Sequence, residues 1–92
     1  MPPNAVELTG SALVHLVQDI KGLNAALNAG RGVIKLNCPC GAAVVAATLV
    51  LPGLKDRQRG HIKSRVERHL RGDHRLSQQT VRLVLNDSLA QD

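Results

Sequence analysis

Nine basic side chains fall between residues 54 and 82: Lys55, Arg57, Arg59, Lys63, Arg65, Arg68, Arg71, Arg75 and Arg82. Only Asp56, Glu67 and Asp73 share that stretch, which sums to +6, whereas residues 1–53 sum to +1 and residues 83–92 to −2. Seven of the nine are Arg, whose planar fork matches pairs of phosphate oxygens. Glu67 has the helical spacing to pair with Lys63 or Arg71, but most of the arginines have no such acid. The chemistry expected of this segment is therefore contact with a polyanion. Arg57, Arg59, Lys63, Arg65, Arg68, Arg71 and Arg75 are the expected contacts, and a nucleic acid or nucleoprotein is the expected partner.

A second group of reactive residues sits in Asn37-Cys38-Pro39-Cys40-Gly41. This turn resembles a shortened zinc knuckle, in which a hairpin tip offers two thiolates to a tetrahedral ion. One residue separates the cysteines instead of the usual two, and no second cysteine pair follows. The other soft ligands are His15, His61, His69 and His74. His69 and His74 span a helix end, so both could point one way. The reading favoured by sequence is a turn with two thiols and no cofactor, with Cys38, Cys40, His69 and His74 as the candidate ligands should it hold a metal. No basic residue lies beside either cysteine in sequence to lower its pKa, which argues against redox chemistry.

A third group follows. On a helical wheel Gln78, Gln79, Arg82 and Asn86 share one sector, opposite Val81, Val84 and Leu85. Gln, Asn and Arg are the types that read base edges bidentately in a major groove. The stretch from Ser77 to Leu85 is locally similar to the recognition helices of helix-turn-helix repressors, in which a Ser opens the helix and a Thr-Val-Arg stretch follows. The resemblance implies a DNA-reading helix, with the preceding basic helix holding phosphates. The turn Gly72-Asp73-His74-Arg75 and the highly charged helix before it depart from that pattern.

Composition closes other routes. The chain has no Phe, Trp or Tyr, so the stacking platforms of single-strand binders and RNA-recognition sheets cannot be built. No paired carboxylates, Gly-x-Ser-x-Gly elbow or phosphate-cradling Gly-x-x-x-x-Gly-Lys occurs, and the protein is expected not to be an enzyme. Cysteines one residue apart make a secreted disulfide scaffold improbable, and no signal peptide or membrane span is visible. A cytoplasmic location and no membrane partner are expected, with a monomer slightly preferred.

The elements that must position these groups follow from periodicity. Residues 1–8 read as a leader. Thr9 and Ser11 offer N-cap oxygens, and Leu13, Leu16, Val17, Ile20, Leu23 and Leu27 recur at helical spacing, giving a helix over 11–28 closed by Gly30. β-Branched flanks around the Cys-Pro-Cys-Gly turn predict a hairpin over 32–51, with a buried helix at 42–51 as the competing reading. Residues 54–90 read as a basic helix pair. Ile62, Val66 and Leu70 form the seam of its first helix, which Gly60 breaks or starts, so that the firm part is 61–71. Ser77 caps the second, and Leu76 with Val81 fits a hydrophobic staple. The fold class is thus α+β in a single domain of 92 residues. Two functional classes fit it. One is a small inhibitor that occupies a nucleic-acid-processing complex, similar in size and simplicity to phage-encoded inhibitors such as anti-CRISPR proteins. The other is a helix-turn-helix-like transcriptional regulator, and a zinc-binding module is a lesser third.

Overall fold

A computed structural model describes residues 8–89. The expected leader lies almost wholly outside them. Thr9 Oγ1 accepts from the Ala12 amide at 3.0 Å and opens helix α1, Gly10–Ala29. Gly30 ends it in the left-handed region at φ 75°, where its amide reaches the carbonyls of Ala26 and Leu27. A side chain there would be strained, so Gly at this position sets the exit of the chain. Leu16, Ile20, Leu23 and Leu27 form the buried stripe, with Leu13 and Val17 at its margin.

Strands β1, Val33–Asn37, and β2, Ala43–Leu49, pair antiparallel as the hairpin that the sequence predicts. The alternative helix at 42–51 does not form. Pairing with β1 and burial of Val44, Val45 and Val50 take the segment into the extended state that its valines favour. Ile34 and Leu36 point inward from β1 in strict alternation. The register slips between Ile34 and Leu36 and again before Asn37. That irregularity puts Val44 and Val45, adjacent in sequence, both in the core.

A 3₁₀ turn at Pro52–Leu54 leads into α2, Lys55–Gly72. Gln58 ties α2 back to the end of β2, donating to the Leu49 carbonyl and accepting from the Leu51 amide, each at 3.0 Å. The break expected at Gly60 is absent. Burial of Ile62, Val66 and Leu70 on one face outweighs the roughly 1 kcal/mol that a helical Gly costs. After a bend through 73–77, with Arg75 at φ 55°, Ser77 Oγ accepts from the Thr80 amide and opens α3, Gln78–Ser88. Val81 is buried and Leu76 packs at the core margin, the placement a hydrophobic staple requires. One core of aliphatic side chains joins α1, the hairpin, α2 and α3. The architecture is α+β. Among the described residues no helix is long and apolar enough to cross a membrane.

Candidate functional site

The hairpin tip lies against the C-terminal end of α2, and the two bring four ligand-bearing side chains together. Cys38 follows β1 directly, and its amide donates to the Ala42 carbonyl at 2.9 Å. Gly41, at φ 99°, folds the turn back and donates to the Cys38 carbonyl at 2.8 Å. The turn thereby aims both sulfurs at α2. His69 lies in the last turn of α2 and His74 in the bend after it. Cys38 Sγ is 3.5 Å from His74 Nε2, Cys40 Sγ is 3.5 Å from His69 Nε2, and the two Nε2 atoms are 3.0 Å apart. All four ligand atoms lie within 4.8 Å of one another. Cys38 and His74 are buried, His69 is half-buried and Cys40 is exposed.

Asp73 completes the arrangement. Its Oδ2 lies 2.7 Å from His69 Nδ1, in an i,i+4 pair. A carboxylate there holds the proton on Nδ1 and leaves the Nε2 lone pair facing the sulfurs and His74. Burial is the main cause that pushes the Cys38 thiol up from 9.0 to about 11; the Cys40 amide opposes the shift, and the Cys40 thiol and the Asp73 charge add to it. Without an opposing positive charge the buried sulfur keeps its proton at neutral pH. Both cysteines are free.

The four residues that the sequence left as the less favoured metal set are thus the four that the fold gathers. Sequence reasoning missed Asp73 as their fifth member, although its i,i+4 spacing from His69 was there to be read.

Beside this cluster runs the basic face of α2. Arg57, His61, Arg65 and Arg68 project within an arc of about 80°, at about 100° per residue, and all are exposed. His61, Ser64, Arg65, Arg68, His69 and Asp73 line a cleft of about 450 Å³ against Ala43 and Val44 of the hairpin, with Asp73 as its one carboxylate. Among the described residues, no carboxylate lies within ion-pair distance of Arg57, Arg65 or Arg68. Arg71, on the flank, is 3.7 Å from Glu67, the pairing that its spacing suggested. Lys63 is exposed, but by helical geometry it stands more than about 90° from the stripe. Arg75 is exposed in the bend.

Arg59 corrects the expected set of polyanion contacts. Its side chain is 6% exposed and is held by Asp56 Oδ1 at 2.8 Å, by Asn24 Oδ1 at 3.2 Å and by Asn28 Oδ1. It is a cross-brace between α1 and α2, turned away from any partner. On α3, Gln78, Gln79, Arg82 and Asn86 are all exposed.

Comparison with protein-family models, with curated proteins and with solved structures finds no match for this chain.

Proposed function

We propose that this protein is a non-enzymatic module that docks the outward face of α2 on the phosphates of a nucleic acid or nucleoprotein, and in doing so blocks access to that surface. The observation that carries the reading is the stripe of Arg57, Arg65 and Arg68, exposed and without a carboxylate partner among the described residues. Guanidinium groups kept free of acids, with His61 between them, favour phosphate oxygens. Arg71 adds to this field once Glu67 is displaced, and Lys63 and Arg75 add to it at longer range.

The test is affinity for labelled duplex DNA and structured RNA across a salt series. Binding should fall steeply with salt as counterions are released. Replacing Arg65, Arg68 and Arg71 together with Glu should abolish it while helical circular dichroism is unchanged. Salt-insensitive binding by a fully competent triple variant would overturn the proposal.

A second reading rests on the exposed sector of Gln78, Gln79, Arg82 and Asn86. If α3 reads bases, Gln79→Ala and Arg82→Ala should each cost about 1–3 kcal/mol on one selected duplex and much less on random duplex. Two features weigh toward the blocking module. The connection between the helices spans 73–77, longer than the 3–4-residue turn of a helix-turn-helix. α2 also carries most of the unpaired charge.

A further inference from the structure

We propose that Cys38, Cys40, His69 and His74 bind one zinc ion in a closed tetrahedral site that fastens the hairpin tip to the end of α2. Two thiols and two imidazoles form a complete ligand set for structural zinc, and H-x₄-H falls within the spacing found in such sites. Bond lengths of about 2.3 Å to sulfur and about 2.0–2.1 Å to nitrogen fix the edges of the tetrahedron. They come to about 3.5 Å for sulfur to nitrogen and about 3.3 Å for nitrogen to nitrogen. The corresponding separations here are 3.5, 3.5 and 3.0 Å. These three of the six edges already lie close to what an ion would demand, and the remaining separations stay within 4.8 Å, so small side-chain shifts close the tetrahedron.

Three further observations point the same way. Asp73 fixes His69 with its proton on Nδ1, so that Nε2 faces the cluster as a ligand. Charge also balances. On binding, the Cys38 and Cys40 thiols release their protons to solvent, and two thiolates neutralise the dication, which removes the cost of burying it beside Cys38 and His74. Finally, four protein ligands leave no open coordination position, the pattern of a structural site. The soft sulfur pair with two imidazoles in tetrahedral array selects zinc over the hard, oxygen-seeking cations.

The rival is a metal-free network in which thiol and imidazole protons bridge the same atoms. Untagged full-length protein, chelated and then reconstituted with excess zinc chloride, separates the two. After exhaustive dialysis, elemental analysis should give one zinc per chain. Cobalt(II) in place of zinc should give the absorption bands of a tetrahedral thiolate site. Cys38→Ser removes a core residue and could unfold the chain. Cys40→Ser, at an exposed position, is therefore the companion variant, and it should lose stoichiometric zinc while circular dichroism still reports the helices. Asp73→Asn should keep all four ligands yet bind zinc about 10–100-fold more weakly. Zinc well below one per chain after reconstitution would overturn the proposal. So would one zinc per two chains, or full retention by Cys40→Ser.

Discussion

The two ends of α2 are fastened by different chemistry. Near its start, Arg59 reaches into a notch of oxygens, Asp56 on its own helix and Asn24 and Asn28 on α1. Near its finish, His69 and His74 meet Cys38 and Cys40 of the hairpin. The first fastening is complete in protein atoms, with a permanent cation satisfied by carboxyl and amide oxygens. The second gathers four lone-pair donors that together suit a cation the chain does not supply. Four side chains meet at each end, but only the first set gathers around a cation that the chain itself carries. The stability of the hairpin tip should therefore depend on solution conditions to which the Arg59 end is indifferent.

The largest effect expected from this contrast is on metal removal. Chelation should lower the melting temperature of the native chain by many degrees, since metal-binding free energy is folding free energy in small sites of this kind. The pH response should change at the same time. The zinc-loaded protein loses stability as pH falls, because protons compete for thiolate and imidazole. In the chelated protein the Cys38 thiol is raised from 9.0 to about 11, so its contribution is intact below pH 9.0 and is lost as pH climbs through about 11. Melting curves with and without chelator should converge at low pH and separate as pH rises, and parallel profiles would break the comparison.

A smaller effect is expected at the other end. Arg59→Ala should cost about 1–3 kcal/mol in denaturant unfolding, from the lost hydrogen bonds and the packing of its stem. The cost should be the same with and without chelator. A chelator-dependent cost would mean that the two ends are coupled. Smallest of all, Gly60→Ala should stabilise by about 0.5–1 kcal/mol, because Gly60 lies inside α2 and a methyl group there would meet nothing within 4 Å. A loss of stability would restore the break that local sequence suggested.

Much of the fold was legible because its signals are local. The Thr9 and Ser77 caps, the Gly30 stop, the leucine stripe of α1 and the valine-rich flanks of the hairpin each act within a few residues. The errors came where distance in sequence matters. Gly60 reads as a break only until the burial of Ile62, Val66 and Leu70 is counted. Arg59 reads as one more surface base, because nothing near it in sequence reveals that Asn24 and Asn28 of α1 will face it. The cysteine and histidine ligands were visible one by one. They could be grouped as a candidate set, but nothing local forced them together, since 28 residues of intervening chain must fold before Cys40 meets His69. The single-residue spacing of the cysteines hid the site further by missing the usual template.

Gripped at both ends, α2 also becomes a measuring rod. At 1.5 Å of rise per residue, Arg57 and Arg68 stand about 16 Å apart along its axis, with Arg65 about 12 Å from the first. On the proposed docking of α2 to phosphates, a helix held at both ends would favour polyanions whose charges match this interval. It also brings those intervals to the encounter with most of the backbone ordering entropy already spent in folding. A flexible basic tail of equal charge would bind any polyanion about equally. This helix should discriminate between lattices of phosphate that differ only in pitch.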